Sequence, residues 1–445
     1  MPSLIDQLHA DGVTQLWVIY HDYSGLGHAK TVPPERYADA VASGIGFAKA
    51  NMDFNVLDHQ VPHPTFGAET GDVFAVPDPA TYALLPYQPS AARAYSFLTL
   101  KGGERWEGCP RAALQRVVGS YAAEGLRVAA AFEPECYLFV CGAEGYKPAD
   151  RSRMFTVEGL QRHAVLLTHL METLRAMGVT VEQVGAEYGP GQYEINVRYA
   201  DPLKAADDLL TLKDALRALA REAGLVASFM PKPYTDLPGC GLHVHLGLED
   251  EKGHNVLEGD GSQAGTSAGL SPLGRAFVGG LLAHAPALCG VGAPTVNSYK
   301  RLLPGSWSPA HICYGAGNRA ALVRVPDSGA RHVEFRAGDN TSNPYLFLAA
   351  LLAAGLDGIR HDLDPGAPVM DDVGHLSQEE AAQRGLTLLP RSAPEALDAV
   401  EADATIMDVL GPVIGPALLR VKRSEAMAYA LEVGAWERAA YLETT

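Results

Sequence analysis

The chain turns back on itself at Glu187-Tyr188-Gly189-Pro190-Gly191-Gln192-Tyr193-Glu194-Ile195-Asn196-Val197. Gly-Pro-Gly is typical of a tight turn, because glycine accepts backbone conformations closed to other residues and proline fixes its own φ. From Tyr193 to Val197 every second residue is apolar, which predicts a β-strand with one packed face. Two carboxylates, Glu187 and Glu194, therefore flank a turn at the edge of a predicted sheet.

Three other segments show the same alternation: Phe132-Glu133-Pro134-Glu135-Cys136, Leu242-His243-Val244-His245-Leu246 and His332-Val333-Glu334-Phe335-Arg336. Residues two apart in a strand share a face, so each segment is predicted to have an apolar face and an ionisable face. Unpaired carboxylates on a half-buried face are costly, and divalent cations remove that cost. Glutamate oxygens with an occasional imidazole suit Mg²⁺ or Mn²⁺. A solvated sheet face is the alternative that the residues alone leave open.

The first hundred residues differ from the rest. Leu16 to Tyr20 is predicted to be a strand, Tyr23 to Gly27 a turn, and Phe74 to Leu85 a strand cut at Asp78-Pro79. Lys101 to Cys109 is a Gly-rich polar stretch, beyond which longer helical patterns begin. We therefore predict a small β-rich domain over residues 1–105 and a large α/β domain over residues 106–445.

Three long helices are predicted in the large domain. Arg111 to Glu124 and Glu158 to Met177 have helical periodicity, the second as one long amphipathic helix. Asp201 to Ala223 forms a third, with Asp201 as N-cap and Pro202 at the first helical position. The apolar stretch Leu346 to Leu356 is too short to span a bilayer and is predicted to be a buried helix.

Composition excludes several classes of function. The 445-residue chain is 47% hydrophobic and carries a formal net charge of −17, which argues against a nucleic-acid partner. None of its six cysteines forms a C-x-x-C pair, so a zinc knuckle is not expected and a reducing cytoplasm is the simplest compartment. Met1 to Gln15 lacks an apolar signal segment, and we expect no association with a membrane.

Taken in order, several segments resemble the glutamine synthetase family. They are Glu187 through Glu194, Met230-Pro231-Lys232-Pro233, Gly239-Cys240-Gly241-Leu242-His243-Val244-His245, Asn297-Ser298-Tyr299-Lys300-Arg301-Leu302, Asn318-Arg319, Arg324-Val325-Pro326, Glu334-Phe335-Arg336 and Asn343-Pro344-Tyr345. The resemblance implies an α+β fold, with an N-terminal β-grasp domain and a C-terminal catalytic α/β domain built on a curved antiparallel sheet. It also implies a homo-oligomer, a dodecamer of two stacked hexameric rings with each active site between neighbouring subunits.

The resemblance assigns roles to particular residues. It implies two or three Mg²⁺ or Mn²⁺ ions per site, with ATP as co-substrate and glutamate as acyl donor. One ion would take Glu135, Glu187 and Glu194, and another Glu133, His243 and Glu334. Glutamate-binding positions would be Gly239, His243, Arg301 and Arg336. His245, Arg319 and Arg324 would contact the nucleotide, and the catalytic residues would be Arg301, Arg319 and Glu334.

Phosphoryl transfer explains why such residues are needed. A γ-carboxylate is a poor electrophile, so ATP converts it to γ-glutamyl phosphate, which a neutral amine then attacks. Metal ions and arginines stabilise the transferred group, because the arginine fork stays charged and grips phosphate oxygens.

One departure from the family bears on the amine. After Arg301, glutamine synthetases place a glutamate in a loop over the intermediate, and here Trp307 stands at that position. Near Gly46-Phe47-Ala48-Lys49 there is also no carboxylate where the family supplies an aspartate for ammonium. Indole offers an apolar face and cation–π attraction for an alkylammonium. We therefore predict a substrate-binding role for Trp307 and a small organic amine as acceptor, as in the γ-glutamylamide ligases of the family.

Other interpretations remain open. Trp307 could simply pack the loop of an ordinary ammonium-using glutamine synthetase. A catalytically silent homologue is a second alternative, against which the intact carboxylate positions argue. A guanidino kinase is a third alternative, since its sheet would carry a similar pattern of ionisable residues, but the segments 239–245 and 297–302 do not support it. Pro238 stands where the family often has an asparagine that touches glutamate.

Overall fold

The structure is a computed structural model, and it describes residues 4–260 and 268–444. Two β-sheets are surrounded by helices. The α-helices are Leu4–Ala10, Tyr37–Ser43, Pro110–Ala123, Val157–Arg162, Ala164–Ala176, Pro202–Glu222, Pro272–Ala283, Ala285–Gly292, Pro344–His361, Gln378–Gln383, Ala393–Ala402, Ala404–Ala430 and Ala435–Tyr441.

The strands of the N-terminal sheet are β1 Gln15–His21, β2 Gly27–Val32, β3 Ile45–Ala48, β4 Asp72–Pro77, β5 Ala83–Leu84 and β6 Ala91–Thr99. Their order is β2-β1-β6-β4-β3, with β5 beside β6. β1 and β6 run parallel, and the other pairs are antiparallel. The predicted strand at Leu16 lies in β1, and the strand predicted from Phe74 is divided where Asp78 accepts a hydrogen bond from the Ala80 amide.

The strands of the C-terminal sheet are β7 Leu126–Gly142, β8 Gly145–Pro148, β9 Val181–Ala186, β10 Gln192–Val197, β11 Val226–Ser228, β12 Leu242–Asp250, β13 Tyr314–Ala316, β14 Val323–Val325 and β15 Val333–Phe335. Their order is β13-β14-β15-β12-β7-β10-β9, with β8 and β11 also paired to β7. All the described pairs are antiparallel except β13 with β14. The four segments predicted to carry ionisable faces lie on or at the ends of the central strands of this sheet.

The apolar faces of these strands are buried as predicted. Leu242, Val244 and Leu246 of β12 are fully buried and join one apolar core that also contains side chains of the N-terminal sheet. The predicted buried helix around Leu346 is the core of Pro344–His361. The predicted helix start at Asp201 is confirmed, since its carboxylate accepts from the Leu203 amide at 3.0 Å.

The single helix predicted from Glu158 to Met177 was wrong. His163 has φ −123° and ψ 23°, which ends Val157–Arg162 and separates it from Ala164–Ala176. The His163 ring packs edge-on against Tyr193, and its Nε2 lies 3.3 Å from an Asp150 carboxylate oxygen. These tertiary contacts override the helical periodicity at one residue.

By length and composition, one helical stretch in the described part of the chain, Ala404–Tyr441, could cross a membrane. Its most apolar window is 44% buried inside the protein, and the core helix of a globular protein passes the same test. The backbone of Gly411 is not helical, and Pro412 and Pro416 follow it.

A buried ion-pair network joins the N-terminal sheet to three helices of the larger domain. The Arg111 guanidinium donates to both carboxylate oxygens of Asp207 at 3.2 and 2.8 Å and to Asp78 at 2.9 Å. The Tyr345 hydroxyl donates to Asp207 at 2.6 Å. Asp78 follows β4, whereas Arg111, Asp207 and Tyr345 lie on three helices, so the network fixes the small sheet against the helical layer.

Removing one member of this network should be costly. Asp207→Ala leaves the buried Arg111 cation without its bidentate partner, and we expect it to lower the free energy of unfolding by about 3–5 kcal/mol. Denaturant unfolding measures this. The double variant Arg111→Met/Asp207→Leu should recover a large part of the loss, and Glu172→Ala, at an exposed site, should change stability by less than about 0.5 kcal/mol. Equal losses in the single and double variants would contradict the ion-pair explanation.

Candidate active site

The registers of five adjacent strands bring the ionisable residues together. Glu133 of β7 lies opposite His243 of β12, and on the other side of β7 Glu135 lies opposite Glu194 of β10. Glu334 of β15 lies opposite both His245 of β12 and Arg324 of β14. Because residues two apart share a face, these side chains project from one side of the curved sheet.

One cluster contains the three residues predicted to hold a metal together. Ligand atoms of Glu133, His243 and Glu334 all lie within 4.8 Å of one another. His243 Nδ1 is 3.1 Å from a Glu133 oxygen and 3.4 Å from a Glu334 oxygen. The three residues come from three neighbouring strands.

The second cluster differs from the predicted set in one member. Its close group is Glu135, Glu194 and His243, so His243 belongs to both clusters. Glu187, the predicted third ligand, lies at the turn after β9 and lines the same cavity, but it is not in the close group. The pairing of β7 with β10 fixes the positions of Glu135 and Glu194 relative to each other. The position of Glu187 depends instead on the conformation of the turn after β9.

The crowding of carboxylates shifts their pKa values. Burial and the neighbouring charge of Glu135 raise the pKa of Glu187 to about 7. The carboxyl groups of Glu133 and Glu194 are hydrogen-bonded to each other. Burial and the charge of Glu133 raise the pKa of Glu194 well above its usual range. Burial also opposes ionisation of Glu133, but hydrogen bonds from His243 and His245 outweigh it and hold that pKa low.

This donor set fits hard divalent cations. It offers carboxylate oxygens with one shared imidazole and no thiolate, the set that suits Mg²⁺ or Mn²⁺. A carboxyl group that holds its proton near neutral pH marks an excess of negative charge that a divalent cation would neutralise.

Arginines surround Glu334. Arg324 donates to one Glu334 oxygen at 2.9 Å, and Arg336 donates to the other. Burial would raise the pKa of Glu334, but Arg336 and the nearby histidines lower it to about 2. Arg324, predicted to neutralise phosphate, therefore pairs with a predicted metal ligand in this structure.

A cavity of about 420 Å³ opens on the carboxylate face. Of the predicted residues it is lined by Glu135, Glu187, Glu194, Gly239, His243, Arg301, Trp307, Arg319 and Arg336. Gly239 is required for close packing, because a Cβ there would lie 2.7 Å from the Pro231 oxygen and 2.8 Å from Arg301 Cγ. The buried Arg301 guanidinium donates to the carbonyls of Gly338 at 3.1 Å and Arg336 at 3.0 Å. It is thereby fixed at the cavity wall.

The remaining predicted residues lie beside this cavity. His245 Nε2 is 3.1 Å from Glu133, and its ring is 5.3 Å from that of His332. Tyr199 packs edge-on against both histidine rings. A second region next to the cavity wall therefore contains Glu133, Glu334, His245 and Arg324. The rings of Tyr199, His245 and His332 give this region an aromatic surface that the sequence had not indicated.

Three aromatic rings form a wall at the cavity that sequence reasoning had recognised only in part. The Trp307 ring is 5.7 Å from Tyr188, and Tyr188 is 4.7 Å from Phe155. All three line the cavity, and Trp307 is 72% exposed, Tyr188 37% and Phe155 57%. Trp307 and Phe155 have positive φ, 61° and 56°, a conformation that costs a non-glycine residue energy. We call these three residues the aromatic wall.

Sequence reasoning singled out Trp307 and missed the roles of Phe155 and Tyr188. Tyr188 directly follows Glu187, which is a signal in retrospect. Phe155 lies in an irregular segment before the helix Val157–Arg162, and no periodicity marks it.

Two family models match the chain. The glutamine synthetase N-terminal domain matches residues 3–108, and the glutamine synthetase catalytic domain matches residues 107–441.

Individual relatives cover almost the whole chain. A glutamate–methylamine ligase of Methyloversatilis universalis is 38% identical over 99% of each chain. A glutamine synthetase of Halobacterium salinarum is 33% identical over 99% of this chain and 96% of its own. Among solved structures, a GmaS complex with ADP is 33% identical, covers 100% of both chains and has a TM-score of 0.89. The α+β fold and the resemblance are confirmed, and the chain belongs to the glutamine synthetase family of ATP-dependent C–N ligases.

Proposed function

We propose that this ligase forms a γ-glutamylamide from glutamate and a small organic amine through γ-glutamyl phosphate. The observation that carries the proposal is the aromatic wall at the carboxylate-lined cavity. A phosphate-release assay with glutamate, ATP and a panel of amines tests it, with ammonium as the comparison.

Glutamate would bind between two fixed cations. Arg301 and Arg336 line the cavity, and both are held by hydrogen bonds to backbone carbonyls. Guanidinium groups fixed in this way match carboxylate oxygens with little loss of side-chain entropy. His243 and Gly239 line the same space, so glutamate's γ-carboxylate would lie near the clusters of glutamates.

ATP would bind on the side of Glu133 and Glu334. His245 and Arg324 lie there, and Arg319 is exposed at the cavity. We assign the first metal cluster to Glu133, His243 and Glu334, and the second to Glu135, Glu194 and Glu187 with His243 between them. Two or three Mg²⁺ or Mn²⁺ ions would neutralise charge on the transferred phosphoryl group. Arg319 and Arg324 would hold the phosphate oxygens.

The aromatic wall would receive the amine. Ammonium is strongly hydrated and needs hydrogen-bond acceptors and negative charge, which indole lacks. An alkylammonium can lose part of its hydration against the rings of Trp307 and Tyr188 and gain cation–π attraction. The similarity to a glutamate–methylamine ligase supports this acceptor.

An ammonium-using glutamine synthetase is the second candidate, because glutamine synthetases are also among the relatives of this chain. Glu187 lies in the same cavity and could supply the negative charge that ammonium needs. A silent homologue would bind ATP without cleaving it in the presence of any amine.

We further propose a cytoplasmic homo-oligomer, a dodecamer of two hexameric rings, with domains at residues 1–105 and 106–445. Exposed apolar side chains near the C-terminus support a subunit contact there. They are Met427, Tyr429, Leu431, Val433, Trp436 and Leu442.

Removing Glu334 should abolish the reaction. Glu334→Ala takes away a metal ligand and leaves Arg324 and Arg336 unpaired, so we expect kcat to fall at least about a hundredfold. Phosphate release from ATP with glutamate and amine measures it. Glu182→Ala, on the exposed edge of the same sheet, should retain activity. Turnover within a few-fold of the unmodified enzyme would rule out the metal role of Glu334.

Changing Trp307 should change the acceptor. Trp307→Glu restores a carboxylate and removes the indole, so we expect the ratio of kcat/KM for methylamine over ammonium to fall about tenfold, equivalent to about 1–2 kcal/mol. Trp307→Leu serves as the control that removes the ring without adding charge. If Trp307 only packs the loop, both variants will lose activity with the two amines in equal proportion.

Metal should alter the pH dependence of stability. The pKa of Glu187 is raised from 4.5 to about 7 in the folded protein, so between these values the folded state binds more protons than the unfolded state. Stability of the metal-free protein should therefore fall as pH rises through this window, and Mg²⁺ should oppose the fall. Thermal unfolding with Mg²⁺ or with a chelator measures this. In Glu187→Gln the contribution should vanish, and an unchanged pH profile in that variant would refute the assignment.

A further inference from the structure

A second cavity, of about 440 Å³, lies beside the helix Pro202–Glu222. It is bounded by the turn between β1 and β2, the helix Pro202–Glu222 and the segment from Ala227 to Pro231. Among the residues that the structure describes, it shares no lining residue with the active-site cavity. Its size is that of ordinary small-molecule sites.

The cavity contains a buried lysine, Lys213. Lys213 is only 6% exposed, and its Nζ donates to the Asn340 carbonyl at 2.7 Å. Within residues 4–260 and 268–444 no salt bridge to Lys213 is formed. Burial and the charge of Arg217 lower the pKa of Lys213 to about 7, against the opposing charges of Asp214 and Asp339. A buried ammonium group with two unused donors is costly, and a bound anion would offset that cost.

A second cation lies one helical turn further on. Arg217 is half-exposed at the cavity wall, and its guanidinium is 3.9 Å from Asp214. Lys213 and Arg217 are 5.5 and 5.2 Å from the centre of the same Phe229 ring. The two cations thus face one space from a single helix face, since residues four apart are neighbours there.

The other lysine of the cavity is already neutralised. Lys422 donates to the Ser24 hydroxyl at 2.8 Å and to Glu425 at 3.1 Å. Its charge is therefore balanced, and Arg217 has Asp214 as a distant partner at 3.9 Å. Among the described residues, Lys213 is thus the cation of this cavity that has no carboxylate partner.

The rest of the lining is partly apolar, with Leu26, Val56, Leu210, Phe229 and Met230. A site with cations at one side and apolar side chains at the other suits a ligand that has an anionic group and a carbon body. A fully hydrated inorganic ion would leave those apolar side chains without contacts.

We propose that this cavity binds a small organic carboxylate, with Lys213 and Arg217 as its cationic contacts. The site also adjoins the catalytic strands. Asn340 accepts from Lys213 through its carbonyl, and its side-chain amide donates to the carbonyls of Glu135 at 3.2 Å and Gly241 at 3.0 Å.

Calorimetric titration of the full assembled enzyme tests the proposal, with succinate, benzoate and inorganic phosphate as probes. Lys213→Met removes the charge at similar length, and Lys204→Met is the matched control, on the same helix but paired with Asp208. Arg336→Met reports on the active site instead. We expect a carboxylate to bind the unmodified enzyme, Lys204→Met and Arg336→Met alike, and to bind Lys213→Met at least about tenfold more weakly.

Several results would overturn the proposal. Carboxylate affinity that is unchanged in Lys213→Met, or lost only in Arg336→Met, would place binding elsewhere. Absence of carboxylate binding to the unmodified enzyme, or binding of phosphate alone, would reject the ligand class. If Lys213→Met does not fold, Arg217→Gln at the half-exposed wall must weaken binding, and unchanged affinity there would count against the site. None of these outcomes depends on which amine the enzyme uses.

Discussion

Repulsion between carboxylates on one sheet face is the constraint around which the site is built. Glu133, Glu135 and Glu194 come from two adjacent strands, and Glu334 joins them from a third. In water such groups would separate, but a hydrogen-bonded ladder fixes their spacing to that of the strands. The sheet therefore holds negative charges close together at a cost in free energy. A proton retained on one carboxyl group and the nearby cationic groups lower this cost in part, and divalent ions would lower it further.

Because Arg324 and Arg336 pair with Glu334, the charged groups of the site can exchange partners when a ligand binds. Glu334 is held by Arg324 and Arg336 and contacted by His243, so its negative charge is shared among three positive or polar partners. A phosphate entering this region would compete with Glu334 for Arg324, while a metal would compete for Glu334. Both exchanges replace one charge-assisted contact by another, so ligand binding would leave few buried charges unpaired.

The sequence was sufficient to predict which residues share one face of a strand. It was insufficient to predict which residues lie opposite them on the neighbouring strands. Alternation shows that Glu133 and Glu135 share a face, but only the register of β7 with β10 and β12 shows that Glu135 meets Glu194 and Glu133 meets His243. Family resemblance supplied the predicted metal sets, and it put Glu187 where the close group has His243. The break at His163 was invisible to periodicity because its cause is a contact with a distant strand.

The aromatic wall shows a different kind of gap. Phe155, Tyr188 and Trp307 are separated by more than thirty residues at each step of the sequence, and two of them lie in irregular segments with positive φ. Local propensity disfavours such a conformation for bulky residues, so no local rule would place these rings together. Local energetics do not favour a strained backbone or exposed aromatic rings, so these features are retained where another requirement maintains them. The sheet carries the clustered carboxylates, and loops and turns carry the rings. Under the proposed function, a change of acceptor amine would therefore require changes in the loops while the carboxylates on the sheet stayed as they are.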